Sequence, residues 1–307
     1  MQLTKKRKKG FKLNAMYLMV LPGIVYFFIN NYIPMFGLVI AFKDIDYSKG
    51  ILKSDWVGLK NFRFLFATKD ALLITKNTLL YNITFILIIL VAAVFIAILL
   101  NEVRRKVLAR FYQSVVLIPF LISMVIVGYL VFAMLSLQNG FMNKTILPAL
   151  GLESVQWYSE PKYWPFILTI VKIWKETGYS CVLYYAAIIG INHELFEAAE
   201  IDGATKIKQI LHITLPQIKQ VLIIMTLLSI GRIFYADFGL FYQVPMNAGA
   251  LMPATNVIDT YVFRALLQLG NISMGSAAGL YQSVVGFVLI ILANFIVRKI
   301  DRNSAMF

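Results

Sequence analysis

Long apolar stretches separated by short polar segments dominate the chain. Six of these stretches are long enough for a helix to cross the roughly 30 Å of membrane hydrocarbon, which takes about 20 residues. Because a helix satisfies its own backbone hydrogen bonds, the pattern predicts an all-α integral membrane protein with about six transmembrane helices. We place the apolar runs at residues 15–42, 79–100, 113–135, 164–191, 217–241 and 280–297. The first run is too long for a cleavable signal peptide, and we expect it to remain as an anchor in contact with lipid.

Composition supports the membrane class and argues against two other interpretations. Hydrophobic residues make up 60% of the 307 residues and charged residues only 14%, whereas soluble domains are nearer half apolar and a quarter charged. The net charge of +14 would suit nucleic-acid binding, but the basic residues lie beside apolar runs, so we expect no nucleic-acid partner. The single cysteine, Cys181, excludes an intramolecular disulfide and indicates a small buried side chain.

The distribution of Lys and Arg predicts the orientation of the chain. With the N-terminus in the cytoplasm, the inner segments hold 16 basic residues and the outer segments hold 9, which is the bias of the positive-inside rule. The prediction is a basic cytoplasmic N-terminus at 1–14, one transmembrane domain at 15–298 and a cytoplasmic tail at 299–307. The loop at 192–216, between the fourth and fifth spans, then also faces the cytoplasm.

The 192–216 loop is rich in small and charged residues and includes the stretch "EAAEIDGATKIKQILHITLP". Its pattern predicts a short helix over Glu194 to Ile201 and a sharp turn at Gly203, where glycine accepts backbone angles that other residues resist. Thr205 is placed to cap a second short helix, and Pro216 to open the next span. Two such helices at an angle would fit a cleft in another protein. The pattern fits an amphipathic helix lying on lipid equally well.

This stretch resembles the cytoplasmic EAA loop of permease subunits of binding-protein-dependent ABC importers. The residues that carry the resemblance, at the spacing of that signature, are Glu197, Ala198, Ala199, Gly203, Ile213, Leu215 and Pro216. Asp202 adds the "DGA" that is common in the sugar-transporting branch. Further segments are similar to oligosaccharide and polysaccharide permeases of this family: "WVGLKNFRFLF" from Trp56, "NTLLYN" from Asn77, "WKETGYS" from Trp174 and "VIDTYVFR" from Val257.

The resemblance implies a pore subunit with no catalytic residue and no cofactor of its own, in a bacterial cytoplasmic membrane. A second homologous permease would complete the pore as a heterodimer, and an extracellular solute-binding lipoprotein would deliver a sugar or oligosaccharide. Two cytoplasmic ATPase subunits would bind ATP and Mg, since this chain has no Gly-rich phosphate loop. The residues expected to couple to the ATPase are Glu197, Ala198, Ala199, Asp202, Gly203 and Pro216.

Polar residues inside the fourth and fifth runs are candidates for the wall of a solute cavity. Lys172 and Glu176 are four residues apart, so they can form an ion pair on one helical face. That pair could be purely structural, or it could belong to a polar cavity. Aromatic rings beside hydrogen-bonding groups suit a sugar. The candidate cavity residues are Trp174, Lys175, Glu176, Tyr179, Tyr235 and Asp237.

The sequence gives less support to a metal site or to a stand-alone transporter. His193 and His212 lie in the 192–216 loop without cysteines or carboxylates at ligand spacing, so we expect no metal site. A stand-alone secondary transporter or channel is the alternative to a permease subunit, but it would more often show internal repeats. The identity of the solute stays open: the basic groups of the outer loops suit an anionic sugar or an acidic binding protein, and contact with lipid explains them equally well.

Overall fold

The structure is a computed structural model that describes residues 15–63, 69–300 and 305. The predicted N-terminal segment 1–14 and most of the predicted tail lie outside the described residues. Ten helices used below are labelled α1 (Ala15–Phe27), α2 (Lys69–Asn101), α3 (Lys106–Leu121), α4 (Met124–Leu135), α5 (Trp164–Ile189), α6 (Glu194–Ile201), α7 (Lys206–Gly231), α8 (Phe238–Gln243), α9 (Ile258–Leu269) and α10 (Ile272–Ile300).

Shorter elements connect these helices. Strand β1 (Lys43–Asp44) pairs antiparallel with β2 (Asp55–Trp56), with Lys43 opposite Trp56. The short helical segments are Phe28–Tyr32, Ile33–Met35, Phe36–Phe42, Gly50–Lys53, Gly58–Phe62, Met142–Ile146, Leu147–Ala149, Trp157–Ser159, Pro161–Tyr163, Gly249–Leu251 and Met252–Thr255.

The helices account for all six predicted spans and confirm the all-α membrane class. By length and composition, four described helical stretches can cross a membrane: Tyr17–Phe42, Asp70–Asn101, Lys206–Gly231 and Ile272–Lys299. The pair α3 and α4 makes a fifth if it counts as one span. Helix α5 has 26 residues and is therefore about 39 Å long, which is enough to span. It is not among the four apolar stretches because it contains three charged residues, Lys172, Lys175 and Glu176.

The third predicted span is bent rather than straight. Helices α3 and α4 meet at 93°, and the Ser123 side chain caps α4 by accepting the Ile126 N–H at 3.4 Å. Lys175 of α5 reaches this break and donates to the carbonyls of Pro119 and Phe120, at 3.2 and 3.0 Å, and to that of Ile122. The break therefore persists at membrane depth because a side chain from another helix satisfies the freed carbonyls.

Helices α2 and α5 form the centre of the fold because both contribute to two buried clusters. The first cluster includes Tyr81, Phe85, Trp164, Leu168, Leu240 and Phe241. The second includes Ala93, Ala97, Cys181, Tyr184, Ile188 and Ile218. Packing between membrane helices depends on close contact rather than on exclusion of water, and small residues such as Ala93 and Ala97 permit it.

Gly178 allows α5 to lie directly against α3. A Cβ atom at this position would stand 1.9 Å from the Val116 carbonyl oxygen, far inside van der Waals contact. The glycine is therefore required by the helix–helix distance, and this approach carries the neighbouring Lys175 to the α3–α4 break.

The first helical stretch stands apart from this core. Most of its large apolar side chains between Tyr17 and Phe36 are exposed in the isolated chain. Its last segment, Phe36–Phe42, packs against α10, and Ala41 there is fully buried. The rest of the stretch consequently presents apolar surface to lipid or to another protein.

Candidate functional site

A polar cavity of about 400 Å³ lies between α2, α5, α7 and the segment that follows α7. Its polar lining includes Asn82, Lys172, Glu176, Ser180, Arg232, Tyr235 and Asp237, and its apolar lining includes Phe85, Ile89, Tyr184 and Met225. The cavity falls between the two buried clusters, so α2 and α5 are anchored on both sides of it. This is the concave, mixed surface that small solutes occupy in proteins.

Three charged side chains form a network on one wall of the cavity. The Lys172 ammonium donates to Asp237 Oδ2 at 3.0 Å and to Glu176 Oε1, and only 11% of its side chain is exposed. The predicted Lys172–Glu176 pair is confirmed and acquires a third member from a distant part of the chain. Because Asp237 also accepts the Leu240 N–H at 3.1 Å, the network ties α5 to the first turn of α8.

The fifth predicted span ends earlier than expected, at Gly231, and residues 232–237 have no helical structure before α8. Side chains from other helices satisfy the backbone of this segment. Asn82 donates to the Ile233 carbonyl at 2.7 Å, and Gln282 donates to the Phe234 carbonyl at 2.7 Å. Asp259 accepts the Ala236 N–H at 2.7 Å. Irregular backbone survives at membrane depth only where it is satisfied in this way or lines a cavity.

Tyr235 supplies an aromatic face at the cavity. Its hydroxyl lies 2.6 Å from Ser283 Oγ, and 40% of the residue is exposed in the isolated chain. Together with Phe85 and Tyr184 on neighbouring helices, it gives the cavity rings beside hydrogen-bonding groups. That combination can stack on the apolar face of a sugar and pair with its hydroxyls.

The structure brings three of the candidate cavity residues together and places three elsewhere. Glu176, Tyr235 and Asp237 line the cavity. Lys175 is buried at the α3–α4 break, and Tyr179 stacks on Phe120 with ring centroids 4.8 Å apart. Trp174 is 45% exposed on another face of α5. A role in solute binding remains a prediction for all six.

The 192–216 loop contains the predicted first helix, and α6 has the predicted bounds Glu194–Ile201. Gly203 follows with φ +74° and open space around it, so its backbone angle, rather than crowding, requires glycine. Thr205 caps the next helix as predicted, its hydroxyl accepting the Lys208 N–H at 3.5 Å. An ion pair between Lys206 and Glu200 at 2.8 Å closes the turn, and this hydrogen bond lowers the pKa of Glu200.

The second predicted short helix is the beginning of α7. Helical structure runs from Lys206 to Gly231, with a wider π-type turn at Ile210–Thr214. In that turn the Leu215 N–H reaches back to the Ile210 carbonyl, directly before Pro216, which has no N–H to donate. The wider turn lets the helix pass the proline, and the loop is therefore joined rigidly to the fifth span.

The outer surface of the loop combines small and apolar side chains. Ile201 is 87% exposed and Ile207 is 69% exposed. Ala198, Glu197 and Asp202 are also exposed, and Ala199 is half-buried. An exposed apolar patch with a polar border is typical of a protein interaction site.

Residues 89–303 match the sequence profile of the family described as "Binding-protein-dependent transport system inner membrane component". The chain belongs to this family. The match covers the cavity segments of α5 and α7 and the whole 192–216 loop of this permease, whereas Asn82 and Phe85 of the cavity lining precede the matched region.

Known relatives agree with that assignment. The permease is 38% identical to the polygalacturonan/rhamnogalacturonan transport system permease protein YteP of Bacillus subtilis, over 94% of this chain and 89% of the relative. It is 36% identical to Protein LplB of the same organism, over 94% and 90%.

A crystal structure of a bacterial ABC transporter involved in the import of the acidic polysaccharide alginate contains a similar chain. The TM-score is 0.84 at 33% identity, covering 94% of this permease and 96% of that chain. A second structure holds the alginate transporter in complex with a periplasmic protein bound to an alginate pentasaccharide, with a TM-score of 0.83 at 32% identity over 93% and 94%.

Several residues around the cavity were not predicted from the sequence. Asn82, Gln282 and Asp259 support the cavity wall from three different helices. The available signal for Asn82 and Gln282 was a polar residue within an apolar run, whereas Asp259 lies outside the six runs. Arg232 interrupts the fifth run but was not among the candidates. In residues 15–63 and 69–300 the structure has no group of three or more His, Cys, Asp or Glu that could hold a metal ion.

Proposed function

We propose that this permease forms half of the pore of an ATP-driven importer that carries an acidic oligosaccharide through the polar cavity. The observation that carries the proposal is the connection of the 192–216 loop to both cavity walls. Helix α5, with Lys172 and Glu176, leads into the loop, and α7 leads from the loop to Arg232. A force on the loop would thus act on both walls of the cavity.

The rigidity of α7 supports this mechanism. It contains 26 residues, which corresponds to a rod of about 39 Å, and its N-terminal cap and Lys206–Glu200 pair hold it to α6. A separate cytoplasmic ATPase that binds Ile201, Ile207 and the alanine face of α6 would tilt helix α7. Tilting would reshape the non-helical segment 232–237 and switch the cavity between two packed states.

The solute class rests on the relatives and on the chemistry of the lining. The relatives include a permease named for polygalacturonan and rhamnogalacturonan and a transporter of the acidic polysaccharide alginate. The cavity offers aromatic rings, hydroxyls and the cationic side chain of Arg232, which together suit a sugar that carries carboxylates, since Lys172 is already paired with Glu176 and Asp237. We infer that an extracellular binding protein delivers it, with both termini of the permease in the cytoplasm of a bacterial cell.

A second permease subunit would cover surfaces that are open in the single chain. The exposed apolar side chains of α1 and the exposed side of the cavity at Arg232 and Tyr235 are the surfaces that such a partner would cover. We therefore expect a pseudo-symmetric pair of permeases, each with its own loop on one of two ATPase subunits.

The decisive experiment is to purify the tagged permease from its native membrane in mild detergent and to reconstitute what accompanies it. We expect a second permease and an ATPase in the same complex, and ATP hydrolysis that rises when a binding protein loaded with oligogalacturonate is added. A permease that purifies alone and transports without ATP would favour the secondary-transporter alternative.

A pair of glycine variants tests the role of the loop in this complex. Gly203→Val places a branched side chain at φ +74°, and Gly151→Val does the same at φ +70° beyond the opposite end of α5, both in open space. Each costs about 1–2 kcal/mol of local strain. We expect Gly203→Val to reduce solute-stimulated hydrolysis severalfold and Gly151→Val to leave it near the wild-type rate. Equal behaviour of the two variants would remove the loop from the coupling mechanism.

A further inference from the structure

Arg232 occupies the break at the end of α7 with its side chain at the cavity. Its backbone N–H is used within α7, where it donates to the carbonyls of Ser229 and Ile230. Among residues 15–63 and 69–300, no carboxylate oxygen lies within 4.0 Å of its guanidinium group. A guanidinium is charged at every physiological pH, and Arg232 is exposed at the cavity, where an anionic ligand can reach it. The geometry therefore calls for an anionic partner.

The carboxylates already in the cavity are committed elsewhere. Glu176 and Asp237 both accept hydrogen bonds from Lys172, and Asp237 also caps α8. This group holds one cation against two carboxylates, so its own net charge is negative. A solute carboxylate would be repelled there and attracted to Arg232, which lines the same cavity.

We propose that Arg232 binds a carboxylate of the transported sugar and determines the preference of this permease for acidic over neutral oligosaccharides. The inference rests on the proposed function and adds the residue that recognises the charge. The planar guanidinium can pair with a carboxylate through two parallel hydrogen bonds. Tyr235 and Tyr184 line the same cavity and offer aromatic surface to the sugar ring.

Direct binding to the transporter tests the proposal without the selectivity of the binding protein. The complete complex of permeases and ATPases is placed in lipid nanodiscs, and equilibrium binding is measured for two probes, an oligogalacturonate pentasaccharide and its methyl ester. The ester has the same rings and hydroxyls but no charge. The variants are Arg232→Gln and Arg232→Lys, with Arg298→Gln as the matched control, since Arg298 is an exposed basic residue in the last turn of α10, away from the cavity lining.

We expect the wild type to bind the acid more tightly than the ester. Arg232→Gln should lower the affinity for the acid by about 10- to 100-fold, as expected for the loss of a charged hydrogen-bonded pair, and bring the acid-to-ester ratio close to one. Arg232→Lys should retain part of the preference, because it keeps the charge but not the planar fork. Arg298→Gln should bind like the wild type.

Three results would overturn the inference in distinguishable ways. A wild-type complex that binds the acid, together with an Arg232→Gln variant of unchanged acid-to-ester ratio, would remove Arg232 and leave the proposed function standing. A wild type that binds neither probe would overturn the proposed solute class and this inference with it. Loss of the second permease from purified Arg232→Gln complexes would show that the partner of Arg232 is a carboxylate of that subunit.

Discussion

Replacing Lys172 with Met is the sharpest test of the charge network at the cavity wall. Met keeps the length and much of the volume of the side chain but removes the ammonium that lies 3.0 Å from Asp237 and also binds Glu176. Two carboxylates are then left without their cation. Removal of one partner from a buried ion pair costs about 3–5 kcal/mol. The side chains of Glu176 and Asp237 are 35% and 24% exposed, so we expect the lower end, about 3 kcal/mol.

The assay can use a thiol that the chain already contains. Cys181 is fully buried in α5, so a thiol-reactive fluorogenic dye reports unfolding of the purified permease in detergent. A loss of about 3 kcal/mol should lower the midpoint temperature by roughly 5 °C. Asp237→Asn should cost much less, about 1 kcal/mol, because Lys172 keeps Glu176 as a partner and asparagine can still cap α8.

A charge-neutral combination separates electrostatics from packing. Lys172→Met together with Glu176→Gln and Asp237→Asn leaves no unpaired ion, so most of the stability lost in Lys172→Met should return. An equally unstable triple variant would show that the lysine stem, whose ammonium lies 5.8 Å from the centre of the Phe85 ring, matters through packing. A Lys172→Met variant as stable as the wild type would refute the reasoning about the network.

Two further predictions concern helix contacts and orientation. Gly178→Ala should destabilise the folded permease by about 1–3 kcal/mol, because the new Cβ would stand 1.9 Å from a carbonyl of α3. The midpoint temperature and the yield of folded protein should both fall. Gly190→Ala is the control, since its nearest contact is 3.4 Å. Equal stability of the two would mean that α3 and α5 separate freely. With a membrane-impermeant maleimide on intact cells, Lys53→Cys should be labelled and Lys208→Cys should not, against a background kept low by the buried Cys181. Labelling of position 208 would reverse the orientation.

The sequence was sufficient where structure depends on neighbours along the chain. Apolar run lengths predicted the helices, because the thickness of hydrocarbon sets the length of a span. The turn between α6 and α7 could also be predicted, since Gly203 and Thr205 act through their own backbone angles and local hydrogen bonds. The bounds of α6 were correct for the same reason.

The two helix breaks could not be predicted, because their stability comes from residues far away in the sequence. The α3–α4 bend depends on Lys175, more than 50 positions later. The end of α7 depends on Asn82, about 150 positions earlier, and on Gln282, 48 positions later. The same limit explains the candidate site: Glu176 and Asp237 meet only because Lys172 joins them, while Lys175 was assigned to the cavity although its carbonyl partners lie in another helix.

Helix α5 holds both breaks through two lysines that are three residues apart. Lys175 fastens the bend between α3 and α4, and Lys172 fastens the start of α8; at 3.6 residues per turn these side chains point about 60° apart around the helix axis. Any torque on α5 is therefore delivered to both bends at the same moment. The α3–α4 break and the segment before α8 are therefore coupled through a single helix.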